Sequence, residues 1–260
     1  MKRILPWINV ATALAALAVN GLANALPLNG QTTASLSDKF QVFFVPAGYV
    51  FAIWGVIYIG WIAFIIYQAL PSQRANARLA RIGWLFALAN LANAAWLVCW
   101  HYDLLALSVC VMLSLLVLLI AIYRRLDIGR VRVAARERWL VDVPFSIYLG
   151  WISVATIANI TDLLYAWRWD GLGIAPEYWA VIMLLAAATI ALAMSLERAD
   201  TAFLLVIVWS FVGIAIKQAA APVVASAAMA TAIVVVGMIP LGLWYRRNKA
   251  LSTPATSPAN

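Results

Sequence analysis

The stretch PFSIYLGWISVATIAN, residues 144–159, decides the fold. It sits inside an apolar run, roughly 143–161, whose length is about that of one bilayer crossing. It also carries Pro144, Tyr148, Trp151, Ser153, Thr156 and Asn159, which a plain lipid anchor does not need. At about 100° per residue, Tyr148, Trp151, Ala155 and Asn159 share one side of a helix. Ser146, Gly150 and Ser153 share the opposite side, a small-residue stripe on which a second helix can pack closely. Neither side is built for lipid alone. The run predicts the central helix of a bundle, with helix contacts on one side and a polar, aromatic wall on the other. The plainer reading is a well-packed helix with Trp and Tyr as filler.

The rest of the chain has the same character. Of its 260 residues 66% are apolar and only 11% charged, with a mean hydropathy of +0.93. Soluble domains run near about 25% charged, so this is an integral membrane protein. Some of its 13 Trp belong to the interfacial belt of any membrane protein, and the excess has to be explained separately. A net charge of +8 suggests nucleic acid. However, the basic residues fall in short loops between spans, which is a signature of topology instead. Cys99 and Cys110 lie near the facing ends of consecutive spans at different depths, so buried inert thiols are expected rather than a disulfide. No Cys/His cluster suggests a metal site, and no cofactor is required.

Eight spans are expected. Span one is the run 4–27, whose Ala11, Ala15, Ala18, Gly21 and Ala25 suit close helix packing. Ala23-Asn24-Ala25 also reads as a cleavage site, so a cleaved signal peptide is the rival reading. A polar loop, 28–45, leads to span two, 46–68, where Pro46 suits a helix start. Span three is 82–100, with Asn90, Asn93 and Trp96 inside. His101-Tyr102-Asp103 turns the chain into span four, 104–123. An arginine-rich loop, 124–138, precedes span five, the run 143–161. A loop over 162–176 holds Asp162, Trp167, Arg168, Trp169 and Asp170. Spans six to eight cover 177–196, 201–219 and 223–245, and a disordered tail is expected over 247–260. Fifteen of the 18 Lys and Arg fall on one side of this map. The expected orientation therefore has both termini in the cytoplasm. No internal repeat points to a transporter built from two halves.

Four pieces of sequence resemble the TspO/MBR family, the tryptophan-rich sensory proteins related to the mitochondrial translocator protein. Trp151-x-Ser153-x-Ala155-Thr156-x-x-Asn159, with Pro144 upstream, is similar to the family's W-V-S-F-A-T-x-x-N helix. Asn93-Ala94-Ala95-Trp96 is similar to N-x-x-W. Pro46-Ala47-Gly48-Tyr49-Val50-Phe51 is similar to P-P-x-W-x-F, and Trp54-x-x-x-Tyr58 to W-x-x-x-Y. The likeness covers about residues 4–165, in the family's order of five helices. Ala47 stands where the family has its second Pro, and Tyr49 where it has Trp. The step from Phe51 to Trp54 is one residue short, and the distance from Pro144 to Trp151 is longer than in the family. Spans six to eight have no counterpart in a five-helix fold. The span map and the resemblance together give the expectation of an all-α membrane bundle of eight helices, a TspO-like five-helix core plus three C-terminal helices. Residues 1–165 would form a TspO-like membrane domain, 166–246 three added helices and 247–260 the tail.

By depth, Tyr49, Phe51, Trp54, Asn93, Trp96, Trp151, Thr156 and Asn159 fall in the outer half of their spans. With Tyr58 and Tyr148 they are the candidate ligand-binding residues. Spans two, three and five could converge on one cup with the 28–45 loop as its lid. Apolar walls with few polar groups suit a small-molecule pocket, and indole faces suit a flat conjugated ligand. The resemblance implies tetrapyrroles such as porphyrins, or sterol-like lipids. Asn93 and Asn159 read more readily as interhelical ties than as ligand contacts. Trp7, Trp84, Trp100, Trp139, Trp179 and Trp244 lie near span ends and read as belt. His101, the single His, reads as an interfacial side chain, with haem coordination or proton transfer as rival roles. Asp142 is expected to pair with Arg138 at i,i+4, and Lys217 to snorkel outward.

The leading functional expectation is a binding or sensing protein of the bacterial inner membrane for a flat hydrophobic ligand. The alternative is a small-solute transporter or permease, with Lys217, Gln218 and Pro222 as its polar features. A tetrapyrrole-degrading enzyme is the third reading. No nucleophile–base pair, phosphate loop or carboxylate pair supports it. The expected partners are the bilayer and a small hydrophobic ligand, not nucleic acid, and a homodimer is allowed.

Overall fold

The computed structural model describes residues 4–25 and 28–252. Among the described residues there is no strand, and eight helices of 17 residues or more carry the architecture. They are α1 Leu5–Ala25, α2 Ile53–Ala69, α3 Leu85–His101, α4 Leu105–Arg125, α5 Val143–Ala166, α6 Pro176–Arg198, α7 Thr201–Lys217 and α8 Pro222–Ser252. Six helical segments, those of α1, α2, α4, α5, α6 and α8, are long and apolar enough to cross a membrane. The other two, α3 and α7, are apolar but only 17 residues long, a rise of about 25 Å against a hydrocarbon core of about 30 Å. The protein is a helical membrane bundle. Lys2 and Arg3 lie outside the described residues. So do residues 253–260 of the expected tail, whereas α8 continues through its first part to Ser252.

The centre of the bundle is α5. Of its most apolar window 67% is buried, against 22–39% for the other five long apolar segments. Helices α2, α4 and α7 pack around it. The small-residue stripe receives α7: a Cβ on Gly150 would lie 3.1 Å from Cβ of Val206 and 3.3 Å from the carbonyl of Phe203. Nearby, Ser146 Oγ donates to Asp200, the residue that caps α7, at 2.6 Å. On the α2 side Gly60 admits Pro144, whose Cβ would stand 3.0 Å from an added Cβ.

Pro144 also shapes the approach to α5. It has no N–H and its ring crowds the preceding turn. The chain runs through one wide π turn, Arg138–Asp142, just before it. A π turn holds more than 3.6 residues, so the expected Arg138–Asp142 pair does not form. Asp142 turns inward and accepts from Arg78 Nη2 at 2.6 Å. The same guanidinium holds Glu137 at 2.7 Å and the carbonyl of Leu126 at 2.8 Å.

Helix α1 is tied into the bundle by amides, and by a different face from the one expected. Ala11, Ala15, Ala18, Gly21 and Ala25 are exposed, while Asn9, Ala13, Ala16, Asn20 and Ala23 are buried. The polar side chains select that face. Asn9 Nδ2 donates to Gln68 Oε1 at 3.0 Å, and Asn20 Nδ2 to Asn93 Oδ1 at 2.8 Å. In an apolar medium such groups turn toward their partners. Cys99 is a buried free thiol as expected, whereas Cys110, also free, is exposed.

Candidate functional site

A small cavity lies where α2, α3 and α5 meet, under the segment before α2. The turn into α2 gives Phe51, and α2 itself gives Trp54. Trp96 and Trp100 come from α3, and Trp151, Asn159 and Asp162 from α5. The roof is Thr33 and Ser37 of a short helix, Thr33–Ser37, with Val45 and Pro46.

The ring geometry follows from helical spacing. Trp54 and Tyr58 sit one turn apart on α2, and Trp96 and Trp100 one turn apart on α3. The four rings form one row. Tyr58 and Trp54 are stacked at 5.7 Å and 26°, Trp54 and Trp96 at 6.1 Å and 25°, and Trp96 and Trp100 at 6.1 Å and 20°. Trp151 crosses this row edge-on, 6.2 Å from Trp54 at 83°, and Phe51 meets Trp151 at 5.6 Å and 82°. Offset and edge-on contacts of this kind are the favoured aromatic arrangements. The rings nearly close on one another, and the remaining void is about 40 Å³.

Five of the ten candidates read from the sequence line this void: Phe51, Trp54, Trp96, Trp151 and Asn159. Tyr148 is fully buried behind it, 6.3 Å from Trp54 and 5.2 Å from Trp61. Tyr58 donates to Asn20 at 2.7 Å and Asn93 accepts from the same Asn20, so these two act as interhelical ties. Thr156 donates to the carbonyl of Ile152 in its own helix. Tyr49 faces away, half exposed, against Trp209 at 5.3 Å. Asn159 is both wall and tie: it accepts from the Trp96 indole at 3.2 Å and donates to Ser108 on α4 at 3.0 Å.

Two residues of the wall, Trp100 and Asp162, lie where the sequence suggests belt and loop. Trp100, near a span end, is 4% exposed rather than part of the belt, because the 33–37 helix and Phe40, 6.2 Å away, cover the end of α3. Asp162 lies in helix and not in the expected loop, since α5 runs one further turn to Ala166 and buries it. Asp162 continues the stripe of Tyr148, Trp151, Ala155 and Asn159 by three residues, which was the available signal. His101 is also buried, its Nδ1 2.8 Å from the carbonyl of Leu97. Trp7, Trp84, Trp139 and Trp244 are exposed, as a belt requires, while Trp179 bonds the carbonyl of Gly171 at 2.8 Å.

Polar atoms stand unpaired around the void. The indole N–H groups of Trp100 and Trp151 and one carboxylate oxygen of Asp162 are buried with no hydrogen-bond partner among the described residues. Nearly all buried polar groups in proteins are paired; nine buried side-chain atoms lack a partner among the described residues, and three of them belong to residues that line this void. Lys217 is held by Asp38 rather than snorkelling free.

The roof is fastened at its edges. Lys39 pairs with Asp103 at 2.6 Å and Asp38 with Lys217. Gln218 Nε2 donates to the carbonyls of Val42 and Phe43 at 3.3 and 3.2 Å. At the other end Asn29 donates to the carbonyl of His101 at 3.0 Å.

A family model described as TSPO-like protein matches residues 6–241. The match runs through α6 and α7 and into α8, helices that the motif-level likeness left without a counterpart. No curated protein matches the chain, and no solved structure does.

Proposed function

The chain belongs to the TSPO-like family, and from that premise we propose that it binds a flat, hydrophobic, conjugated ligand of the tetrapyrrole kind between α2, α3 and α5. One observation carries the reading: Trp100, Trp151 and Asp162, each with a buried polar atom that has no partner among the described residues, line one small void together with Phe51, Trp54 and Trp96. Each such group left unpaired costs about 1–3 kcal/mol, which a ligand with matching groups recovers. A tetrapyrrole brings ring N–H donors, carboxylate acceptors and a flat face for the indoles. A sterol brings a single hydroxyl, so it is the poorer match.

The void of about 40 Å³ is far below the roughly 300–1,000 Å³ of a small-molecule pocket. Binding therefore goes with displacement of the 33–46 roof and parting of the rings. Exposed ion pairs such as those at the roof contribute about 0–1 kcal/mol each, so the cost of opening lies mainly in the buried Leu36, Phe44 and Val45. In the membrane the reading includes eight crossings, with α3 and α7 as the short ones. It places both termini on the cytoplasmic side of a bacterial inner membrane, a disposition supported by the one-sided distribution of Lys and Arg.

The test is titration of the detergent-purified protein with protoporphyrin IX, read by quenching of tryptophan fluorescence. Saturable quenching is expected, weakened about tenfold by Asp162→Leu, the loss of one good hydrogen bond. Trp151→Phe should weaken it further. Equal affinity in both variants and the parent overturns the assignment. Transport is the second reading, favoured by one fact: Asp162 is an ionisable side chain buried inside a membrane helix, and such residues often mark substrate paths. Uptake of a solute into proteoliposomes that Asp162→Leu abolishes would put transport ahead.

A further inference from the structure

On the arginine-rich side of the bundle, away from the aromatic site, two hollows adjoin. The first, about 240 Å³, lies between the 128–133 segment, the start of α5 and the α6–α7 turn. It is lined by Arg132, Arg138, Arg198 and Arg246 against two carboxylates, Asp142 and Asp200. Both carboxylates are already engaged. Asp142 accepts from Arg78, and Asp200 accepts from Tyr123 at 2.7 Å and Ser146 at 2.6 Å. Arg198 is spent on the carbonyl of Ile128 at 3.1 Å and the face of Tyr123 at 5.5 Å. Arg132, Arg138 and Arg246 have no ion-pair or hydrogen-bond partner among the described residues. The hollow presents three uncommitted guanidinium groups.

The second hollow, about 600 Å³, is an apolar groove between α2, α5 and α7. Val56, Ile147, Leu205 and Trp209 line it. It shares Arg138, Val143, Thr201 and Ala202 with the first, so the two form one continuous channel. Trp139, 68% exposed, stands beside Arg138 at its mouth. Along α7 the groove extends from Thr201 to Trp209, a rise of about 12 Å. It leads from the charged end into the apolar part of the bundle.

We propose that this channel holds an anionic phospholipid, with the phosphate among Arg132, Arg138 and Arg246 and one acyl chain in the groove. The order of the two hollows is the argument. Head pocket, aromatic belt residue and apolar slot follow one another as headgroup, interface and chain do in a leaflet. Guanidinium groups suit phosphate through paired, charge-assisted bonds. A soluble anion would make no use of the groove, and a neutral lipid none of the arginines.

The experiment is native mass spectrometry of the full chain from detergent, with phosphatidylglycerol or phosphatidylcholine added. One phosphatidylglycerol per chain should be retained, in clear preference to phosphatidylcholine. Arg132 and Arg138 are exposed and unbonded, so Arg132→Gln with Arg138→Gln leaves the fold intact. This pair should weaken retention by roughly 5-fold per arginine, from about 1 kcal/mol each near an interface. Leu205→Trp, at an exposed position that lines only the groove, should remove phosphatidylglycerol without touching the arginines. Unchanged preference in the arginine pair overturns the head pocket. Glycerol 3-phosphate competing as well as the lipid overturns the groove. A lipid-free dimer of the parent chain that Leu205→Trp dissociates would give the groove to a second copy instead.

Discussion

Trp54 and Trp96 face each other from α2 and α3 with ring centres 6.1 Å apart and planes 25° from parallel. They sit in the middle of a row that runs from Tyr58 to Trp100. The Trp96 end is pinned, because its indole N–H donates to Asn159, which in turn bonds Ser108. One aromatic contact thus ties three helices around the void.

Replacing Trp96 by Phe keeps the stack and removes that donor. Asn159 remains held by Ser108, so the lost bond costs about 0.5–1.5 kcal/mol, and the smaller ring adds the cost of a cavity. Thermal unfolding in detergent should show a lower Tm than the parent. A Tm equal to the parent's would mean that the Trp96–Asn159 bond contributes nothing.

The roof gives a kinetic expectation. Asp38→Ala with Asp103→Ala removes both ion pairs. Stability should fall by at most about 1 kcal/mol per exposed pair. Protoporphyrin association should become faster and lose its dependence on salt, since screening acts on those same pairs. Stopped-flow quenching at low and high ionic strength reads this directly, and an unchanged rate argues against a moving roof.

Gly150→Leu tests the seat of α7 on α5. Even a Cβ there meets Val206 at 3.1 Å, and overpacking costs about 1–3 kcal/mol or more. The expected result is a lower Tm together with weaker ligand binding. Gly55→Ala, where an added Cβ has nothing within 4 Å, is the control and should be close to neutral.

Arg78 concentrates the buried charge on the arginine-rich side. Its guanidinium serves Glu137, Asp142 and the Leu126 carbonyl, and all three charged side chains are no more than 14% exposed. Arg78→Gln strands two carboxylates and should cost about 3–5 kcal/mol. Lys39→Ala, which breaks only an exposed pair, should cost under about 1 kcal/mol. Equal losses in the two variants, measured by thermal unfolding, would show that Arg78 is no hub.

The pattern of spans was legible because apolar length and helical periodicity are local properties. Residues 144–159 announced both faces of α5: Gly150 does seat α7, and Trp151 and Asn159 do face the void. Charged residues were read least well. Asp162 looked like a helix stop, and Lys217 like a free cation at an interface. Their states depend on Asp38 and on the 33–46 segment, which approach from distant parts of the chain. Trp100 was misplaced for the same reason, since a position near a span end looks like belt until something covers it. The Arg138–Asp142 spacing failed because one wide turn before Pro144 changed the register.

Sequence alone settled that the chain lives in a membrane, that it is helical, and which helix lies at the centre. These follow from hydrophobic transfer and from side-chain period, which act residue by residue. Tertiary structure alone decided how far the indoles close on one another, which polar atoms remain unpaired, and which arginines are left uncommitted. Those outcomes depend on distances between segments as much as 179 residues apart, as in Lys217 and Asp38, and no local pattern encodes a distance of that kind.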